Sequence, residues 1–260
     1  MRTVLMRHED SRFEEEVIGP WLASVSDLVG VVIIRNKCER TVARARRELH
    51  RSGVLGFADV LSFRLYYRIR LAEQESKKID RLIESASAEY SAVPDDVPRI
   101  TVDDPNDEPT KEFLREINPD AAVARIKLLL DADVFSIPNA GTYVIHPGIC
   151  PEYRNAHGCF WALANGEPEK VGYTFLRIDE GIDTGPIIAQ GGTEFDPSED
   201  GHLYIQYKVV ADNLDEIGGA LKHAVESNCD SLDVTGRESD VWGQPRLSAY
   251  LRWKRQARRW

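Results

Sequence analysis

Long hydrophobic runs are missing from this 260-residue chain. No stretch reaches the roughly 18 uncharged apolar residues that read as a membrane span. The opening Met1-Arg-Thr-Val-Leu-Met-Arg-His8 lacks the apolar core of a secretory leader. Cysteine is scarce: Cys38, Cys150, Cys159 and Cys229 are too scattered for a disulfide framework. The spacing of Cys150 and Cys159 fits neither a zinc ribbon nor a redox pair, so all four read as free thiols of a reducing, cytoplasmic protein. The six histidines make no metal pattern, and no metal is expected. No Gly-x-Gly-x-x-Gly opens a helix and no Walker sequence occurs, which leaves nicotinamide, flavin and P-loop nucleotide sites unsupported. Basic charge is in deficit, 33 Lys and Arg against 43 Asp and Glu, a net −10. A polyanionic nucleic acid is therefore not an expected partner.

What is present is ordinary for a folded domain: 42% hydrophobic and 29% charged residues. Short apolar runs at 3–6, 29–34, 98–102, 121–124, 142–145 and 172–176 read as strands alternating with helical patterns. That alternation predicts an α/β fold with a largely parallel sheet. One helix is expected over 12–25, kinked at Pro20, and a basic one over 39–51, with an Asp- and Pro-rich loop around 94–109. Two stretches depart from the alternation. Residues 54–71 are apolar around the whole helical circumference, and the helix is expected to run on to about 90. Such a pattern suits packing between layers or between two subunits, so a homodimer is admitted, whereas a membrane-surface helix would segregate its faces. The tail, 245–260, holds six basic residues and no acidic one. It reads as a frayed, solvated terminus, with an anion-binding arm as the alternative.

The chemistry concentrates between residues 142 and 190. His146 follows a strand directly and precedes Pro147-Gly148, which places it at a strand's carboxyl end, where open α/β sheets bind ligands. A second loop, Asp179-Glu-Gly-Ile-Asp-Thr-Gly185, supplies carboxylates and turn glycines. A histidine and an aspartate on two loops above one sheet edge are a candidate pair for proton transfer, because imidazole titrates near neutral pH.

Together these residues resemble the formyltransferase family. His146-Pro147, Pro151-Glu-Tyr-Arg154 and Asp179-x-Gly-x-Asp183-x-Gly185 match its pattern in order. The resemblance implies a Rossmann-like formyltransferase fold with a twisted sheet flanked by helices. It implies 10-formyltetrahydrofolate as donor and a small-molecule amine as acceptor, an amino sugar nucleotide or a specialised metabolite. It implies catalytic roles for His146, Asp183 and Thr174. Folate contacts would fall to Arg125, Ile126 and Lys127 and to Ile178, Asp179 and Glu180, largely through backbone groups. Acceptor contacts would fall to Tyr153, Arg154, Asn155 and His157. The catalytic domain would cover 1–228, followed by a basic extension over 229–260. One departure matters: Val144 stands where the family has an asparagine that donates to the formyl oxygen. Asn139, Asn155 or His157 would have to supply the donor. Otherwise the chemistry differs, as formyl-folate hydrolysis, transfer of another acyl or carbamoyl group, or folate binding without turnover.

Overall fold

The computed structural model describes residues 1–36, 38–227 and 231–258. Its centre is a sheet of β1 (Arg2–His8), β2 (Asp27–Ile34), β3 (Arg99–Val102), β4 (Ala121–Arg125), β5 (Thr142–His146) and, after the two-residue β6 (Arg154–Asn155), β7 (Gly172–Arg177) and β8 (Ile187–Gly192). The order across the sheet is β3-β2-β1-β4-β5-β7-β8. The first five strands are parallel, and β7 and β8 run antiparallel to their neighbours. Every strand read from the sequence is present, and β8 adds to them.

The first helical stretch is a wide turn over Glu14–Ile18 that passes into α1 (Gly19–Val25). Pro20 falls in the first turn of α1, where a missing N–H costs nothing, so it starts that helix rather than kinking it. Next come α2 (Cys38–Arg70), α3 (Ala72–Ser87), α4 (Glu108–Ile117), α5 (Ala132–Phe135), α6 (Gly158–Asn165), α7 (His202–Ala211) and α8 (Leu214–Ser227). A short β9 (Val241–Trp242), paired in parallel with β6, leads into α9 (Leu247–Ala257).

Side chains alternate across the strands, as the pleat requires. Leu5, Val31, Val123, Tyr143 and Phe175 pack on one face under α1, α6, α7 and α8. Val4, Met6, Val32, Ala122 and Ala124 pack on the other under α4 and α5. On that second face, beyond β4, a small separate cluster joins Val144, Cys150, Leu176, Ile187 and Val234.

Two expectations need correction. The helix from 54 does not continue to 90: the chain turns at Leu71, while at its other end it merges across a break at Gly53 with the basic helix before it. Gly53 has φ 68°, a backbone region that suits glycine. Burial of this helix is one-sided, with Val60 and Phe63 inside but Val54, Leu55, Leu61, Leu65 and Ile69 exposed. Among the described residues no helix is long and apolar enough to cross a membrane. The tail is not frayed either. Ala249, Tyr250, Trp253 and Ala257 recur at helical spacing and bury α9, and Lys254 donates to the carbonyls of Pro197, Ser198 and Asp200. Arg259, Trp260 and the domain boundary expected at Asn228 lie outside the described residues.

A buried polar group joins α3 to α7. Glu75 Oε1 accepts from the N–H groups of Leu203 and Tyr204, at 2.6 and 2.9 Å, and so caps α7. His202 beside it packs against the rings of Phe63, Tyr67 and Phe160. Burial pushes His202 down to about 3, with the charge of Lys254 adding to the effect. It is therefore neutral in the fold, whereas the unfolded chain takes a proton near pH 6.5. Stability from this source is present above that pH and is lost as pH falls towards 3. Between pH 7.5 and pH 5 the protein should lose about 2 kcal/mol more, by urea unfolding, than the His202→Phe variant. Burial moves Glu75 upward instead, but that group is common to both proteins.

Candidate active site

Strand order reverses between β1 and β4, so the crevice of this sheet opens at the carboxyl ends of the central strands. His146 closes β5 at that edge and is buried. Register sets its neighbours: His146 faces Thr174 on β7, and Val144 lies between Ala124 on β4 and Leu176 on β7.

The ring of His146 is held at one nitrogen. Its Nε2 lies 2.8 Å from the carbonyl of Tyr153, and since a carbonyl only accepts, Nε2 carries the proton. Nδ1 is left facing Asp183 Oδ2 at 3.5 Å. This arrangement depends on two glycines. A Cβ on Gly148 would come within 2.7 Å of His146 Nε2, and one on Gly158 within 2.6 Å of Gly148 Cα. Only bare backbone lets the loop after β5 fold back so closely.

Asp183 is fixed from the same loop. Its Oδ2 accepts the Asn155 N–H at 2.7 Å, and Arg154 donates to the neighbouring Ile182 carbonyl at 3.1 Å. Asn155, His157 and Asp183 all take left-handed backbone, with φ of 78°, 56° and 51°. These residue types tolerate that region best after glycine, yet three within one site mark strain of about 1–3 kcal/mol apiece.

Thr174 Oγ1 donates to the Gly148 carbonyl at 2.7 Å and accepts from the Cys150 N–H at 2.9 Å. Gln190 on β8 reaches the same hydroxyl at 2.9 Å and also the Cys150 carbonyl at 2.6 Å. Behind Gln190, Arg237 donates to its oxygen at 3.0 Å and pairs with Glu152 through two nitrogens. The Thr174 hydroxyl therefore braces the loop that follows His146, through Gly148 and Cys150, while the residue itself pairs with His146 in the strand ladder.

The remaining sequence candidates divide by place. Arg125 donates to the Ile145 carbonyl and forms a buried ion pair with Glu14 at 3.0 Å, so its side chain ties β4 to β5. The Lys127 N–H donates to His8 Nε2 at 3.0 Å. Ile126 and Ile178 are half-buried against the second core face, Asp179 turns its own loop by accepting from Gly181 and Thr184, and Glu180 is exposed. Tyr153 is buried, its hydroxyl bonded to Glu167, so it offers the site its carbonyl rather than its ring. None of the three replacement donors is aimed at position 144. Asn155 gives its amide to the Trp242 carbonyl, His157 faces Gln206 and His202, and Asn139 precedes β5 at the opposite end from His146. Cys150 and Cys159 are free and buried, and burial raises both thiols, Cys159 to about 12. The side chain of Cys38 and all of Cys229 lie outside the described residues.

Sequence reasoning missed Gln190, Arg237, Glu152 and Glu14. Gln190 and Thr174 are paired residues of β7 and β8, a relation that only strand register reveals. Arg237 and Glu14 meet partners far along the chain, where no local pattern points. A cleft of about 380 Å³ opens beside Asp183, between its loop and the segment 231–239.

The formyl transferase family model matches residues 67–212, more than half of the chain. The chain belongs to the formyl transferase family. Methionyl-tRNA formyltransferase of Thermotoga neapolitana is 43% identical over 89 residues, 34% of this chain and 28% of that protein. The enzyme of the same name from Syntrophus aciditrophicus is 34% identical over 111 residues, 42% of this chain and 33% of that one. The chain thus spans about a third of the length of these relatives. Among solved structures, phosphoribosylglycinamide formyltransferase from Anaplasma phagocytophilum superposes with a TM-score of 0.55 at 15% identity, covering 93% of this chain and 97% of that one. A sugar N-formyltransferase from a Shewanella species gives 0.55 at 14% identity, over 98% and 88%. At that identity the likeness is one of fold, and it agrees with the Rossmann-like formyltransferase architecture read from the sequence.

Replacing Thr174 by valine should leave the buried Cys150 N–H and Gly148 carbonyl without their partner. The variant should unfold in urea with about 1–3 kcal/mol less stability and an unchanged slope.

Proposed function

We propose that this formyl transferase family member moves the formyl group of 10-formyltetrahydrofolate to the primary amine of a small molecule. One observation carries the reading: His146 is tied at Nε2 to the Tyr153 carbonyl and faces Asp183 with Nδ1.

The residues at the switch edge suit a folate. Leu129 is exposed, and Ile126, Leu128 and Ile178 are half-buried beside it, an apolar surface for a flat ring next to the backbone of the Asp-rich loop. When bound, the donor supplies an electrophilic formyl carbon. Attack by an amine leaves an ammonium that must lose a proton and a departing amine that must gain one. Nδ1 of His146 is the basic atom placed for that exchange, and the Asp183 carboxylate stabilises the imidazolium while the proton rests there. Nε2 stays bonded throughout, so the ring need not turn.

The oxyanion is served less well. Position 144 is lined by Ala124, Leu176, Cys150 and Ile187, and no side chain replaces the family's amide there. Without that donor the reaction is expected to be slow by the standard of a complete site. The net charge of −10 supports a small acceptor rather than tRNA. The exposed apolar row Leu61, Leu65 and Ile69 on α2 supports a homodimer.

Turnover of 10-formyltetrahydrofolate with and without amines tests the reading. His146→Ala and Asp183→Asn should each lower kcat/KM by about 10²–10⁴ while folate affinity holds. Full activity in either variant would remove the assigned role. Val144→Asn should raise formyl transfer by up to about 10²-fold, restoring a donor at the oxyanion, and cost about 1–3 kcal/mol of stability for an amide among apolar groups. Folate consumed equally without amine would instead mark a hydrolase.

A further inference from the structure

The cleft beside Asp183 has one wall from the catalytic loop and one from the segment that follows α8. Asp183, Thr184 and Arg154 line the first, and Leu232, Val234 and Ser239 line the second. The second wall is fastened at both ends. Leu232 donates its N–H to the Ile187 carbonyl at 2.8 Å, Asp240 donates to the Pro151 carbonyl at 3.2 Å, and β9 pairs with β6. It is therefore a fixed surface laid against the site rather than a loose extension.

The chemistry of this lining is specific. Among the described residues its charged side chains are one carboxylate, Asp183, and one guanidinium, Arg154. Arg154 gives Nη1 to the Ile182 carbonyl, and its Nε is buried. Among the described lining residues none opens a helix, and α6 begins beyond them. A diphosphate would meet neither the paired cations nor the row of backbone N–H groups that such a group needs. Nearby Arg237 is spent on Glu152. What the cleft does offer is an apolar side, from Leu232, Val234 and Ile187, and hydroxyls from Thr184 and Ser239. Leu232 is 44% exposed, an apolar surface awaiting contact.

We infer that this cleft is the acceptor subsite, and that it takes a primary amine on a compact, phosphate-free body with one apolar and one hydroxylated face. The inference rests on the proposed formyl transfer, and it narrows the acceptor against a nucleotide-linked sugar. The ammonium docks at Asp183, which also brings the amine to the atom that receives its proton. Leu232 selects the body attached to it.

The test is calorimetric titration of the whole chain, saturated with tetrahydrofolate, with a free aminodeoxyhexose and with the nucleoside diphosphate conjugate of the same sugar. The free sugar should bind more tightly. Leu232→Arg should weaken it about tenfold by placing a cation beside the ammonium and closing the apolar wall, and should improve the conjugate. Leu232→Met, which keeps an apolar wall of similar volume, should keep the preference for the free sugar, and tetrahydrofolate affinity should stay within twofold in all three proteins. Tighter binding of the conjugate to the unmodified chain, no binding of either sugar, or a Leu232→Arg protein with the original preference would each overturn the inference. Binding as expected, but with no formylated product when 10-formyltetrahydrofolate replaces tetrahydrofolate, would overturn the reaction and leave the cleft assigned.

Discussion

The hydrogen bond from His146 Nε2 to the Tyr153 carbonyl organises the site. A histidine at a strand end is free to turn about two torsions, and a fixed acceptor at one nitrogen removes that freedom. To bring the acceptor there, the chain after β5 must double back within seven residues, which forces Gly148 against Gly158. The same fold-back presents the Asn155 N–H to Asp183, so the carboxylate is placed by the loop that places the ring. The strain of three left-handed residues is borne by the bonds around them, from Thr174, Gln190 and the β6–β9 pairing. The segment beyond residue 230 is thus bonded to the loops that carry His146 and Asp183.

Against this rigid proton-handling frame stands an apolar oxyanion position. Val144 shares a strand face with His146 and joins a small cluster of Cys150, Leu176, Ile187 and Val234. These side chains offer no polar group apart from the buried Cys150 thiol, so a polar group inserted among them would lack a partner. On the proposed reading, the part of the site that would move a proton is kept and the part that would hold the carbonyl is changed. A transfer reaction can tolerate that division if the acceptor is positioned well, because orientation alone lowers barriers substantially. The cleft beside Asp183 is where such positioning would come from.

Much of the fold was legible in the sequence. Six strands announced themselves as apolar runs, and the alternation with helices implied the parallel sheet. The two-residue β6 and β9 carry no periodic signal, since a pair that short has no pattern to repeat. The tail was misread because its basic residues dominate composition, whereas Ala249, Tyr250, Trp253 and Ala257 decide its burial. In the site, His146, Asp183 and Thr174 were visible as motif residues, but their relations were not. Thr174 looked like a member of the proton network, and strand register made it a brace for the loop instead. Tyr153 contributes through its backbone, which sequence motifs do not distinguish from a side-chain role.

The central claim is that Nδ1 of His146 is the nitrogen that accepts the proton, with Nε2 held by protein. The tautomer of this ring is therefore a direct target. Long-range proton–nitrogen correlation NMR on the ¹⁵N-labelled protein reads it, with the His146 ring assigned by comparison with His146→Gln. Where the ring carries a single proton, the account predicts it on Nε2, with Nδ1 showing the shift of a bare imidazole nitrogen. A single proton found on Nδ1 would contradict it, because Nε2 could not then donate to the Tyr153 carbonyl.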